Sequence, residues 1–183
     1  TKRKVTLTSE TASKAYDGTA LTKPEVTVGG DGFVDGEVEG IKAIGTITNV
    51  GGPVANPIEY TGVEGKFNAG NYKIQKQEGT LTITKAGSLG LTVEGAERKY
   101  NGEPLSAAKV EASVTEGTTI SYSTDDGSTW TAEAPSITKA GTLNVKVKAE
   151  NPNYETVEEA YKLQVTKRKV TLTSETASKA YDG

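Results

Sequence analysis

The chain has 183 residues, of which 34% are hydrophobic, and its 21 basic and 24 acidic residues leave a net charge of −3. Cysteine, histidine and methionine are absent, which excludes disulfides, thiolate or imidazole metal sites and any nucleophile paired with histidine. The chain also lacks the concentrated basic face that nucleic acid binding needs, and no apolar run approaches the roughly 18 residues of a membrane-spanning helix. We therefore expect no enzyme, no cofactor, no nucleic acid partner and no membrane insertion.

Two internal repeats organise the chain. Its first eighteen residues, TKRKVTLTSETASKAYDG, return without a change at positions 166–183. A weaker repeat lies at an offset of 84, where LTSETASKAYDGTAL (7–21) aligns with LTVEGAERKYNGEPL (91–105). Such self-similarity indicates an array of related domains. It predicts two related domains, residues 1–85 and 86–165, followed by a segment, 166–183, that begins the next repeat.

The first domain opens on an alternating pattern, in which Val5 and Leu7 are apolar and their neighbours are polar, as in a half-buried strand. The motif Tyr16-Asp17-Gly18 follows, and Asp-Gly is typical of a tight turn. A tyrosine beside such a turn can bury its ring and tie down a neighbouring loop with its hydroxyl. We expect this structural role, with stacking on a glycan as the alternative.

A glycine-rich stretch, GGDGFVDGEVEG, gathers four acidic residues: Asp31, Asp35, Glu37 and Glu39. Calcium accepts such oxygen ligands, but the spacing departs from the Asp-x-Asp-x-Asp-Gly order of an EF-hand loop. We therefore expect a solvated loop here and no metal site.

The second domain repeats the turn motif as Tyr100-Asn101-Gly102, for which we expect the same structural role. Residues 106–113, SAAKVEAS, are the one stretch with marked helical propensity, while their counterpart KPEVTV (23–28) has the pattern of a strand. We predict an all-β chain of two small β-sandwiches joined end to end. A true helix over 106–113 would favour a β-grasp fold instead.

The single tryptophan, Trp130, follows the turn sequence DDGST. An indole face can stack on a sugar, but a position on a hairpin opposite Ile120 and Tyr122 predicts a cross-strand aromatic that closes the core.

Both domains close in the same way, with Asn71-Tyr72 leading into GTLTITK and Asn153-Tyr154 leading into YKLQVTK. Only a few residues separate the last strand of one domain from the first strand of the next. Such short linkers predict domains stacked end to end with limited bending.

The order of these motifs carries a family resemblance. KAYDGTALT, followed by GDGFVDGE, AGNYKI and EGTLTITK, resembles the YDG-type repeat of long bacterial cell-surface proteins. The second half, from ISYSTDDGSTW to AENPNYE, is similar to another Ig-like module of the same proteins, although Leu143 stands where that family often has an aromatic residue.

The resemblance implies tandem Ig-like β-sandwich domains in an extracellular Gram-positive adhesin that is anchored in the cell wall through other regions. It implies a monomeric stalk whose neighbours are further repeats of the same chain and which projects a distal binding domain. Stalk domains of this kind sometimes carry a Lys–Asn or Lys–Asp isopeptide bond, for which Asn71 and Asn153 are the candidates, although their expected exposure disfavours it. The alternative is an adhesive module that binds a host glycan or protein through an edge strand or the loops beside the YDG motif. For residues 170–173, which lie in the repeated segment, we predict pairing with a sheet, either in the second domain or in a neighbouring molecule.

Overall fold

The structure, a computed structural model, describes all residues from 1 to 183 and is built mainly of β-strands. Its one helical element is a 3₁₀ turn at Ala69–Asn71, and none of its helices is long and apolar enough to cross a membrane. Residues 106–113 form no helix, because their second half is a strand, Lys109–Ala112. The all-β prediction is therefore confirmed, and the helix on which the β-grasp alternative depended is not present.

The strands are short and follow one another closely along the chain. The first eleven are β1 (Arg3–Ser9), β2 (Ala12–Ala15), β3 (Leu21–Thr22), β4 (Val26–Gly30), β5 (Val38–Ala43), β6 (Thr46–Ile47), β7 (Gly51–Asn56), β8 (Ile58–Gly62), β9 (Tyr72–Gln77), β10 (Gly79–Thr84) and β11 (Ala86–Ser88). The others are β12 (Leu91–Glu94), β13 (Ala96–Lys99), β14 (Lys109–Ala112), β15 (Thr119–Ser123), β16 (Gly141–Glu150), β17 (Tyr154–Glu155) and β18 (Val157–Thr166).

The chain divides into two compact units. Unit 1 consists of Thr1–Leu89, Glu116–Thr118 and Glu150–Thr156. Unit 2 consists of Gly90–Thr115, Thr119–Ala149 and Val157–Gly183. The domain boundaries predicted at residues 85 and 165 stay predictions.

In unit 1 the strands near the start of the chain pair in parallel with those near residue 84. β1 lies parallel to β9 in the sheet β4-β1-β9, and β2 lies parallel to β10 in the sheet β2-β10-β7. The chain passes from the first sheet to the second at Glu10 and Thr11. Gly79 lies so close there that a Cβ on it would overlap the backbone of both residues. Three two-stranded sheets, β3-β6, β5-β8 and β11-β17, complete the unit.

Two clusters of apolar side chains form the interior of unit 1, because alternate residues of its strands face inward. The buried residues of the first cluster are Val5, Leu7, Ile58 and Tyr72. The buried residues of the second cluster are Leu21, Leu81 and Ile83. The apolar positions that the alternating pattern assigned to strands near Val5 and Leu81 therefore lie in the core.

Unit 2 packs the four-stranded sheet β13-β18-β16-β15 against the two-stranded sheet β12-β14. β13 is parallel to β18, as β2 is to β10 in unit 1, and β16 is antiparallel to β18. The side chains of β16 alternate, so Val145 and Val147 are buried while Lys146 and Lys148 lie on the other face. The buried centre of the unit consists of Val145, Val147, Tyr161 and Leu163.

Residues 167–183 form no strand and are exposed throughout. Val170 is 76% exposed and Leu172 is 91% exposed, whereas their counterparts Val5 and Leu7 are 1% and 0% exposed. The prediction that this segment pairs with a sheet of its own chain is therefore wrong, because a single strand has no stability without a partner strand. Pairing with a neighbouring molecule stays a prediction.

Candidate functional site

The Asp17-Gly18 turn is held together by the Asp17 carboxylate. Its Oδ1 accepts hydrogen bonds from the Lys14 ammonium at 2.7 Å, from the Thr19 backbone N–H at 2.9 Å and from the Thr19 hydroxyl at 2.7 Å. These bonds favour the charged form, that from Lys14 most, and hold the pKa of Asp17 well below its ordinary value. Gly18 has a φ of 79°, a left-handed conformation that glycine adopts without strain.

Asn101 and Gly102 form the corresponding turn in unit 2 with a neutral side chain. The Asn101 Oδ1 accepts a hydrogen bond from the Glu103 backbone N–H at 3.1 Å, and Gly102 has a φ of 90°. Both motifs thus form the tight turns that their sequences indicate, and both use the side-chain oxygen to hold the turn.

The tyrosines of the two motifs share a backbone position but differ in the surroundings of their rings. The N–H of Tyr16 donates to the carbonyl of Thr84, and that of Tyr100 donates to the carbonyl of Thr166, each at 2.9 Å. The Tyr16 ring is half-buried and makes an edge contact with Tyr154 at 5.6 Å between centroids. Two of the predicted motif residues therefore come together, whereas the Tyr100 ring is 43% exposed.

The tyrosine whose hydroxyl ties down a loop is Tyr72. Its hydroxyl donates to the Glu37 carboxylate at 2.5 Å and accepts from the Val34 N–H at 3.1 Å. The bond to Glu37 and burial raise the pKa of Tyr72. The ring belongs to an aromatic cluster whose neighbouring centroids lie 5.3–6.3 Å apart, and the other members are Phe33, Tyr60 and Phe67. The role expected of Tyr16 is thus performed by Tyr72.

The acidic, glycine-rich loop uses two of its carboxylates within the fold. Asp31 accepts a hydrogen bond from the Lys4 backbone N–H at 2.8 Å, and Glu37 accepts one from the Tyr72 hydroxyl. The Arg3 side chain in turn donates to the carbonyl of Gly32 at 3.1 Å. No three acidic side chains come close enough together to hold a metal ion. The loop is therefore joined to β1 and to the aromatic cluster.

Trp130 lies on the outer face of its sheet. Thr131 pairs with Tyr122 through two backbone hydrogen bonds of 2.8 and 2.9 Å, so Trp130 is one residue out of register with that pair. Because successive side chains of a strand point to opposite faces, Tyr122 packs on the core while Trp130 does not. The prediction that Trp130 closes the core opposite Tyr122 is therefore wrong.

Two neighbours cover the indole of Trp130. The Lys148 ammonium lies 4.8 Å from the ring centroid in a cation–π contact. A Cβ on Gly127 would lie 3.6 Å from the indole, in ordinary contact with it. One face of the Trp130 indole is thus covered by Lys148 of its own chain.

The turn before Trp130 is organised by Asp125. Its carboxylate accepts from the Thr129 hydroxyl at 2.6 Å, the Ser123 hydroxyl at 2.7 Å and the Thr129 backbone N–H at 2.9 Å. These bonds, that from the Thr129 hydroxyl most of all, lower the pKa of Asp125 from 3.8 to about 2. Asp126, with a φ of 61°, pairs with Lys146 at 2.8 Å and anchors the turn to β16.

Asn56, a buried polar residue of unit 1, belongs to no motif that the sequence analysis recognised. Asn56 is fully buried, and its Nδ2 donates to the carbonyls of Glu10 at 3.2 Å and Lys23 at 2.9 Å. Its Oδ1 accepts from the Gly45 N–H at 3.0 Å, and its own carbonyl accepts from Ser9 Oγ at 2.6 Å. Asn56 thus satisfies backbone groups where the chain changes sheets at Glu10. Its position within an alternating strand was the available signal, but periodicity does not identify its partners.

Asn71 and Asn153, the two asparagines considered for an isopeptide bond, occupy different positions in unit 1. Asn71 is exposed at the end of the 3₁₀ turn, and Asn153 accepts a hydrogen bond from the Val50 N–H at 3.1 Å.

An open cleft of about 600 Å³ lies over β5, β8 and β9 of unit 1. Lys76 lies over the Tyr60 ring at 5.5 Å and donates to the carbonyl of Ile58 at 2.6 Å, so its ammonium is engaged with the cleft wall. Glu59 is the one carboxylate in the lining. General acid–base catalysis by a carboxylate pair needs two such groups at close range, and this cleft supplies one.

We compared the chain with known proteins, and no family model, curated protein or solved structure matches it.

Proposed function

We propose that the chain is a structural repeat of a bacterial cell-surface protein, a spacer in a stalk that projects a distal binding domain. The observation that carries the proposal is that strands early in each unit pair in parallel with strands late in it: β1 with β9 and β2 with β10 in unit 1, and β13 with β18 in unit 2. The all-β architecture, the internal repeats and the use of the motif residues inside the fold add support.

In unit 1, parallel pairing places the start and the end of residues 3–84 at opposite ends of the paired strands. Arg3 lies beside Tyr72, and Ala15 lies beside Thr84. The seven residues of β1 alone span roughly 23 Å at about 3.3 Å per residue. Strands paired in this way add their own length to an array, as a spacer requires.

The same pairing suits a load-bearing element. A force that pulls the start of one strand of a parallel pair away from the end of the other slides the two strands along each other, so the evenly spaced hydrogen bonds of the pair carry the load together. A hairpin pulled open from one end would lose its bonds one at a time. In unit 2, β13 and β18 provide this arrangement from Ala96↔Leu163 to Lys99↔Thr166.

A second candidate function is an adhesive module for a host glycan or protein. The observation that favours it is the exposed ring of Tyr100, which lines a shallow groove with Lys139, Ala140 and Arg168. The Lys148 ammonium over the Trp130 ring argues against a sugar platform on the outer face of the sheet. Binding to a glycan array that Tyr100→Ala abolishes, with the fold retained, would favour this second function.

Small-angle X-ray scattering tests the stalk proposal. We would compare the chain with a protein in which residues 1–165 occur twice before residues 166–183. A stalk predicts that the maximum dimension nearly doubles with the added copy, whereas a flexible connection predicts a much smaller increase.

The matched control carries about ten Gly and Ser residues inserted after Thr1 of the second copy, which stands in the place of Thr166, and this makes the connection a flexible coil. It should give a broader distribution of interatomic distances than the protein without the insert. If the two proteins give the same distribution, the copies are already flexibly joined and the rigid-stalk proposal is wrong.

A further inference from the structure

We propose that residues 166–183 of one copy of the chain bind unit 1 of a second copy, in the place that residues 1–18 occupy there. The partner is a second copy of this chain, and the binding surface is the groove that β1 and β2 fill. The proposal concerns the 183-residue chain itself, whose residues 167–183 belong to no sheet. Its outcome leaves the stalk proposal unchanged, because in a longer array the same residues would begin the next repeat.

The groove makes extensive contacts with residues 1–18. β1 is paired on one edge with β4 and on the other with β9, and β2 is paired with β10. Val5, Leu7 and Ser9 of β1 are at most 4% exposed. The Ser9 hydroxyl donates to the carbonyl of Asn56 and accepts from the Gly79 N–H at 3.0 Å. A strand in this position therefore makes two ladders of backbone bonds and fills an apolar core.

Residues 166–183 carry every side chain that the groove recognises, because they repeat residues 1–18 without a change. Val170 and Leu172 correspond to Val5 and Leu7 and are exposed, and residues 167–183 belong to no sheet. Unpaired backbone groups beside exposed apolar side chains are what makes a strand join another chain.

The turn at the end of the segment already has its local contacts. Lys179 and Asp182 form an ion pair at 2.5 Å, as Lys14 and Asp17 do at 2.7 Å in unit 1. The Lys–Asp ion pair of this motif is thus present in both copies.

Competition between the two segments sets the conditions for binding. Both make the same contacts, but residues 1–18 are tethered to their groove, which gives them an effective concentration on the order of 1 mM. The segment of a second copy becomes competitive near that protein concentration, or when the resident segment is weakened. The segment 166–183 of one copy and the groove of unit 1 in the next copy are different surfaces. The contact is therefore heterologous and builds open, head-to-tail chains.

The first test uses three variants of the full chain: Leu7→Ala, Leu172→Ala and the double variant. Leu7→Ala weakens only the resident segment, so its association constant should rise about 100-fold or more, the factor by which truncation of a buried leucine shifts an equilibrium. Leu172→Ala should associate no more strongly than the unaltered chain. The double variant weakens both segments equally and should return to the behaviour of the unaltered chain.

Sedimentation velocity over a range of concentrations measures these constants. If Leu7→Ala associates no more strongly than the double variant, the proposal is overturned. Association through a non-specifically exposed core would be equal in those two variants, so the comparison separates it from strand exchange.

A second test does not rely on a destabilised core and uses the absence of cysteine from the chain. Thr8 is paired with Thr27 in β4, and Thr173 is its counterpart in the repeated segment. The variant Thr27→Cys, Thr173→Cys is unfolded and refolded at about 1 mM under mild oxidation, where both segments compete for the groove. We expect a ladder of disulfide-linked multimers on a non-reducing gel.

Two matched controls define the result. The pair Thr27→Cys, Thr8→Cys should give an intrachain disulfide and monomer only. The pair Thr27→Cys, Thr171→Cys places the second thiol two residues out of register and should give far fewer multimers. Equal multimer yields from Thr171 and Thr173, or none from Thr173, would overturn the proposal.

Discussion

Two tyrosine hydroxyls, those of Tyr72 and Tyr161, are buried in the two units under different conditions. The Tyr72 hydroxyl donates to Glu37 and accepts from the backbone of Val34. The Tyr161 hydroxyl has no hydrogen-bond partner, and burial, with a smaller effect of Tyr122, raises its pKa to about 12. A buried polar atom without a partner costs free energy that its removal can recover.

We therefore expect opposite effects from the same substitution at these two sites. Tyr161→Phe should raise the free energy of unfolding by about 1 kcal/mol, because it removes an unsatisfied hydroxyl, whereas Tyr72→Phe should lower it by about 1–3 kcal/mol. Urea denaturation followed by circular dichroism measures both values. A Tyr161→Phe variant that is less stable than the unaltered chain would show that this hydroxyl has a partner in solution.

The Asp125 carboxylate leads to a prediction of pH dependence. Its pKa falls from 3.8 in the unfolded chain to about 2 in the folded one, so its hydrogen bonds contribute to stability above pH 3.8. That contribution is lost as the pH falls through about 2, when the folded carboxylate is protonated. An NMR titration of the Asp125 side chain should have its midpoint near 2.

The control is Thr129→Val, which removes the hydroxyl that contributes most to the shift. Its titration midpoint should move back toward 3.8. An unchanged midpoint would assign the low pKa to another cause.

At the scale of secondary structure, the alternating patterns predicted the strands well because one buried face needs one apolar residue in every two. Leu81 and Ile83, and Val145 and Val147, are buried as their patterns indicate. Register was harder to predict, since a slip of one residue moves a side chain to the other face. Trp130 illustrates this, because its neighbour Thr131 pairs with Tyr122 and leaves the indole outside.

The passage of the chain between the two sheets of unit 1 leads to a prediction at the same scale. A Cβ on Gly79 would overlap the backbone of Glu10 and Thr11, which cannot move aside as a flexible side chain can. Gly79→Ala should therefore destabilise the chain by about 1–3 kcal/mol through overpacking.

Gly87, in β11, is the matched control because nothing lies within 4 Å of a Cβ placed on it. Gly87→Ala should change the stability by less than about 1 kcal/mol. Thermal denaturation of both variants checks the pair, and equal losses would mean that the close approach at Gly79 is relieved by backbone movement.

For the whole molecule, the division into two compact units with separate cores predicts separate unfolding transitions. Leu81 in unit 1 and Leu163 in unit 2 are both fully buried, in different clusters. Each leucine-to-alanine substitution should cost about 3–5 kcal/mol in its own unit. Differential scanning calorimetry should show Leu81→Ala lowering one transition and Leu163→Ala lowering the other. If both variants lower a single common transition, the units unfold together.

The turns and the buried hydrogen bonds of the candidate residues show which contacts local motifs can predict. The Asp17-Gly18 and Asn101-Gly102 turns were predictable because the side-chain oxygen bonds to a backbone N–H two residues away. The partners of Tyr72 and Asn56 lie far along the chain, for example Glu37 at 35 positions and Glu10 at 46. No periodicity or composition specifies such pairs, because they depend on how strands are brought together.

The repeated eighteen residues separate what sequence determines from what tertiary structure decides. In both copies the local sequence produces the same Lys–Asp ion pair, which involves residues three positions apart. Only residues 1–18 form strands, and only there are the valine and leucine buried. Sequence alone determined the alternating pattern, the turns and the all-β class, because these follow from neighbouring residues. Tertiary structure decided strand formation, register and burial, because a β-strand is stable only when partner strands supply its hydrogen bonds and cover its apolar face.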